Sequence, residues 1–173
     1  MNKTKKLIVT ALMAAVMCVI SPFTIPISGG VGISMGIMIV FLMSYVLEFP
    51  MGLVSCFVYI LIGIIGLPVF QGFQGGIGVI LGPTGGFIAG YIFIGFIVGL
   101  FAKLGNGKRV FFVIGAIIGL IVCYIMGCLW YMYLMEVSFK MAVMVCVVPY
   151  IFFDLLKIGI VCAIGPVCKK NIY

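Results

Sequence analysis

The chain has 173 residues, of which 66% are hydrophobic and only 8% charged, and its mean hydropathy is +1.48. Soluble domains carry about 25% charge, so the composition excludes a water-soluble globular protein and points to a single membrane-embedded domain, residues 1–173. The net charge of +7 comes from basic residues standing singly or in short clusters beside apolar runs. That is topology-setting charge and not a phosphate-binding face, so nucleic acid is excluded as a partner.

The N-terminal run MNKTKKLIVTALMAAVMCVI has the basic start and apolar core of a signal peptide but no clear small-x-small cleavage site. Further apolar runs follow, so it is read as a retained first helix. A spanning helix takes about 20 apolar residues, and the sequence divides into six such segments, an all-α membrane protein. The first runs from about Leu7 to Ser21 and stops at Ser21-Pro22; on it Ala11 and Ala15 lie four residues apart on one face. Small-xxx-small spacing lets another helix approach closely, either within the protein or from a partner. The second covers about Val31 to Leu47 and ends at Glu48-Phe49-Pro50, and the third about Met51 to Gly66. The fourth covers about Gly85 to Ala102, the fifth about Val110 to Tyr131 and the sixth about Met141 to Ile164. Several are short for a full crossing, so tilt, local bilayer thinning or neighbouring loop residues must complete them.

Gly66 to Gly90, GLPVFQGFQGGIGVILGPTGGFIAG, holds nine of the 24 glycines and two of the seven prolines. In a helix interior Gly costs about 1 kcal/mol and Pro about 3, so this run is not an ordinary spanning helix. Irregular backbone at membrane depth persists only where protein or a watery cavity takes up its polar groups. The run therefore predicts a loop folded over or into a cavity, between the third and fourth spans.

The positive-inside rule sets the topology. Lys3, Lys5 and Lys6 precede the first span, Lys103, Lys108 and Arg109 separate the fourth from the fifth, and Lys169 and Lys170 follow the sixth. With six spans all three clusters fall on one side, which places both termini in the cytoplasm of a multi-pass protein of the cell membrane. The outer side then carries PFTIPISGG (Pro22 to Gly30), the glycine-rich run, and the aromatic link from Trp130 to Lys140. Trp130, Tyr131 and Tyr133 fit an interfacial belt, with stacking on a ligand as the alternative.

The sixth segment contains Pro149-Tyr-Ile-Phe-Phe-Asp154-Leu-Leu-Lys157. An Asp or Lys at a helix centre costs about 2.5–3.5 kcal/mol on insertion scales and usually faces the bundle interior. Asp154 and Lys157, three residues apart, share a helical face, and Pro149 permits a bend just before them. They are either a helix-stabilising pair with a snorkelling lysine or a polar anchor for a small solute. Histidine is absent and only three residues are acidic, so a zinc or iron site lacks its ligand set and no cofactor is expected. The seven cysteines, Cys18, Cys56, Cys123, Cys128, Cys146, Cys162 and Cys168, form no CxxC and read as small apolar residues.

GLPVFQGFQGG followed by GPTGGF and a last-helix DLLK resembles the biotin-specific S components of energy-coupling factor (ECF) transporters, the BioY family, over nearly the whole chain. The resemblance implies a small six-span protein that captures biotin on its outer face and hydrolyses nothing itself. It implies association with a transmembrane coupling subunit and two cytoplasmic ATPase subunits, with Ala11 and Ala15 as the docking face of the first helix. The chain departs from the family pattern in IPISGGVGISMGIM, which has no glutamine, in Gln74 and Ile88, where some members carry Asn and Arg, and in the acidic turn Glu48-Phe49-Pro50.

Biotin combines a hydrogen-bonding ureido ring, an apolar bicycle and a carboxylated tail, which suits an apolar pocket with a few fixed polar groups. Gln74 and Asp154 are expected to contact polar groups of the ligand, and Lys157 to orient the Asp or pair with the carboxylate. Gly72, Gly75 and Gly76 would let backbone amides approach, Phe70 and Phe87 would supply apolar walls, and Thr84 of GPTGG completes the set. The loop would act as a lid. The alternatives are an S component for another vitamin or a biotin precursor, or a self-contained membrane carrier; an intramembrane enzyme would have only Asp154 and Lys157 to work with.

Overall fold

The computed structural model describes residues 3–26 and 32–172. In chain order these form α1 (Lys3–Ile20), β1 (Thr24–Pro26), β2 (Gly32–Ser34), α2 (Gly36–Leu47), α3 (Met51–Ile65), α4 (Ile77–Ile80), α5 (Gly85–Leu104), α6 (Arg109–Met135), α7 (Phe139–Cys146) and α8 (Ile151–Ile172). The fold is mostly helical, as the composition required. Among the described residues α5, α6 and α8 are long and apolar enough to cross a membrane, and α2 and α3 are shorter apolar helices.

Two of the six expected segments have a different form. The second is expected from about Val31, which lies outside the described residues together with 27–30, and the described residues that directly follow are not helical. Gly32–Ser34 instead pair antiparallel with Thr24–Pro26, Thr24 opposite Ser34 and Pro26 opposite Gly32. The Ser34 hydroxyl accepts from the Gly36 N–H at 2.9 Å, a local bond that ends the strand and lets α2 begin. The sixth, Met141 to Ile164, is two helices. α7 stops at Cys146, residues 147–150 turn, and α8 starts at Ile151. Pro149 has no N–H to continue the ladder of α7, so the bend expected there is a full break.

α2 is the hub. At 12 residues it is about 18 Å long, well short of a bilayer core of about 30 Å. Nearly all its side chains are buried beneath α1, α3, α5 and α8. Small residues set the distances between the other helices. A Cβ on Gly90 of α5 would stand 3.0 Å from the Cα of Cys123 on α6, so these antiparallel helices meet backbone to backbone, the close packing that lipid-embedded helices use in place of a hydrophobic drive. At the end of the bundle where the α5–α6 turn lies, the Tyr45 hydroxyl donates to the Gly107 carbonyl at 2.6 Å and Lys169 pairs with Glu48. These contacts tie α2 and α8 to that turn.

At the other end, the connection from α3 to α5 is pinned. Gly66, with φ +114°, caps α3, a backbone shape that L side chains avoid. The Phe70 N–H donates to the Gln74 carbonyl at 2.9 Å, that of Gly72 to Pro22 at 3.0 Å and that of Gly76 to Gly63 at 2.7 Å. Phe70 is fully buried, edge-on to Tyr59 with ring centroids 5.6 Å apart. Its ring lies where a Cβ on Gly63 would be. The irregular backbone is thus satisfied internally, as an apolar surround demands. All seven cysteines are free. On α1, Ala14 is buried, whereas Ala11 and Ala15 are exposed with Leu7 and Leu12.

Candidate functional site

A recess of about 610 Å³, counted to its open mouth, lies at the end of the bundle that carries the α3–α5 connection. Two helices each give it one face. Thr84, Phe87, Ile88 and Tyr91 run along the start of α5 at spacings of three and four, and Tyr150, Asp154 and Lys157 do the same around the start of α8. The break at Pro149 is what puts Asp154 in the first turn of α8, where the positive end of the helix dipole favours a carboxylate. Ile37 of α2, Tyr124 of α6 and Ser34 of the hairpin complete this wall.

Asp154 and Lys157 are 4% and 6% exposed, so their charges must be met within the protein. They are. The Lys157 ammonium donates to Asp154 Oδ1 and to the Ser34 carbonyl, each at 2.8 Å. The Tyr124 hydroxyl donates to Asp154 Oδ2 at 2.6 Å. Both carboxylate oxygens therefore hold a donor and keep further acceptor capacity toward the cavity. A second polar cluster stands apart from this pair. The Tyr59 hydroxyl donates to the Val69 carbonyl at 3.1 Å and lies 2.8 Å from Ser21 Oγ, leaving the serine as donor between them.

The structure brings Asp154, Lys157, Phe87 and Thr84 to this cavity. It does not bring Gln74, which is exposed; Gln71 lines the recess instead. Phe70 anchors the turn in the core, and the chain reverses through Gly72 and Phe73 at φ +71° and +59°. The reversal directs Gln71 inward and carries Gln74 across to the exposed side. Gly72 and Gly76 take positive-φ shapes and Gly75 packs against the Leu67 carbonyl, all away from the lining, and Phe70 is a core residue, not a cavity wall. Lys157 is not snorkelling, since its head group is buried and bonded. Trp130 is a clamp as well as an amphipathic ring, its indole N–H donating to the Gly82 carbonyl at 2.8 Å and so holding the GPTGG run. Tyr131 is buried, and Tyr133 is exposed as a belt residue would be.

Several lining residues escaped the sequence reading. Tyr91 and Tyr150 could have been found, because they continue the helical spacing from Thr84 and from Asp154. Tyr124 and Ser34 could not. Nothing in their own neighbourhoods marks them, and Ser34 meets Lys157 across 123 residues of chain.

The helical membrane fold and this largely apolar recess around a paired acid and base define a small-molecule-binding membrane protein. Residues 1–172 match the BioY family, and the chain belongs to that family. It is 32% identical over 166 residues, 96% of each chain, to the biotin transporter BioY of Thermotoga maritima. To the probable biotin transporter BioY of Pyrococcus horikoshii it is 36% identical over 155 residues, 90% of each chain. Its fold matches the crystal structure of the S-component for biotin from an ECF-type ABC transporter with a TM-score of 0.89 at 24% identity, over 98% of this chain and 95% of that one.

Proposed function

We propose that the chain, residues 1–173, is the biotin-capturing S component of an ECF-type uptake transporter. The observation that carries this reading is the buried Asp154–Lys157 pair, held by Tyr124 and Ser34 in a small-molecule recess, in a chain that belongs to the BioY family from end to end. The protein is a transport protein and not an enzyme, in keeping with its named relatives, which are biotin transporters. In this reading the ureido N–H groups donate to Asp154, Lys157 and Gln71 bind or orient polar groups, and Phe87, Ile88 and Tyr91 pack on the bicycle.

The membrane arrangement belongs to the same proposal. Six crossings, with α2 as a short central one and α7 and α8 sharing the last, put both termini and the Lys103–Arg109 turn in the cytoplasm. The recess then opens outward. The exposed Ala11–Ala15 face of α1 docks on a transmembrane coupling subunit, which two ATPase subunits drive. Equilibrium binding of tritiated biotin to purified protein tests the substrate. Wild type is expected to bind, and Asp154→Asn and Lys157→Ala to bind at least about tenfold more weakly, the worth of one hydrogen bond to a charged group. Wild-type affinity in both variants would remove the pair from the site, and a different vitamin co-purifying with the protein would change the substrate.

A further inference from the structure

The recess contains one acid and one base, and they neutralise each other. Among the described residues Asp154 and Lys157 are the only charged side chains that line it, 2.8 Å apart, and residues 27–31, Ile-Ser-Gly-Gly-Val, contain no ionisable side chain. Two of the three ammonium donors of Lys157 are already committed, to Asp154 and to the Ser34 carbonyl. An anionic group placed against Lys157 would stand beside the Asp154 carboxylate, or would draw the lysine away and leave that carboxylate buried without its cation, a strongly unfavourable outcome. Lys140 stands at the start of α7, six residues before the lining residue Cys146, and is exposed, so any attraction it exerts is screened. The rest of the polar lining, such as Tyr59, Tyr124, Gln71 and Thr84, is uncharged.

From this electroneutral lining we infer that the site selects its ligand by the uncharged hydrogen-bonding head and reads no charge on the tail. The substrate class is then ureido bicycles with a carboxylate or an uncharged polar tail alike. The inference rests on the biotin reading and adds the ligand's specificity to it.

Isothermal titration of the purified protein with biotin, biotin amide and an N-methylated ureido analogue of biotin tests it. Biotin amide is expected to bind within about fivefold of biotin, the most that an exposed, screened ion pair contributes. A loss beyond about fivefold would overturn the inference, because a tail carboxylate held by Lys157 is a charge-assisted contact whose removal costs roughly tenfold to a hundredfold. The methylated analogue is expected to bind at least about tenfold more weakly than biotin, and equal binding would also overturn head-based selection. Absence of any biotin binding, with the protein folded by its melting profile, would instead overturn the biotin reading and this inference with it.

Discussion

Lys157 and Asp154 each do more than face the other. The lysine joins α8 to the hairpin through the Ser34 carbonyl, and the aspartate joins α8 to α6 through Tyr124. A buried pair of this kind adds little net stability, yet removing one partner costs about 3–5 kcal/mol because a charge is left unmet. Lys157→Met is therefore expected to lower the thermal unfolding temperature in detergent sharply. The double variant Asp154→Asn/Lys157→Met is expected to recover most of that loss without recovering biotin binding. A double variant as unstable as the single one would show that something other than the unmet charge is responsible. The two glutamines make a second contrast. Gln71 lines the recess and Gln74 is exposed, so Gln71→Ala is expected to weaken biotin binding about tenfold and Gln74→Ala less than about twofold. Titration calorimetry on both decides it, and the reverse order would return Gln74 to the site.

Among the elements, the α3–α5 connection shows how a run of helix breakers becomes a fixed wall. Its turns need glycine at Gly66, Gly72 and Gly76, where φ is positive. Its position is set by the backbone bonds to Pro22 and Gly63 together with one buried side chain, Phe70, lodged between Tyr59 and Gly63. Phe70→Ala would empty that slot, at a cost of about 3–5 kcal/mol for a fully buried aromatic. Thermal unfolding is expected to register most of this, and a change under about 1 kcal/mol would mean that the backbone bonds alone hold the connection. From the sequence this run was legible as something other than a spanning helix, but neither its short helix α4 nor its pinning was, because its anchor bonds run to Pro22 and Gly63 in other elements. The same holds for Gln71 and Gln74, whose identical chemistry gives no reason to prefer one until the turn is built. The expected sixth span shows a related limit: Pro149 marked the place of a bend, but a proline in sequence does not by itself distinguish a kink from the full break seen between α7 and α8.

At the scale of the whole molecule, the two ends of the bundle have different construction. One end gathers the starts of α2, α5 and α8 around the recess. The other is closed by Tyr45, Glu48 and Lys169 against the α5–α6 turn. The exposed alanines of α1 lie away from both networks, which separates the face proposed for docking from the recess proposed for binding. Ala11→Trp with Ala15→Trp is accordingly expected to leave biotin affinity within about twofold of wild type. The same variant, reconstituted in proteoliposomes with its coupling subunit and ATPases, is expected to lose biotin uptake. Uptake at the wild-type rate would exclude this face as the docking surface, and lost binding would show that the two functions share residues.

Composition and spacing by themselves determined that the chain is helical and membrane-embedded, since so apolar a sequence has no soluble alternative, lipid requires backbone bonds to close within helices or a closed barrel, and apolar runs approaching about 20 residues fit the helix. They also singled out Asp154 and Lys157, because two ionisable residues in an apolar helix are too costly to be incidental. Tertiary structure alone decided which other residues line the recess. Tyr124, Ser34 and Tyr59 enter the site from α6, the hairpin and α3, and their contribution arises from approach between segments far apart in sequence, where periodicity, a property of one helix at a time, has nothing to register. The electroneutrality of the recess is likewise a property of the assembled lining: in the sequence Asp154 and Lys157 are two charges, and in the folded protein they are one closed pair.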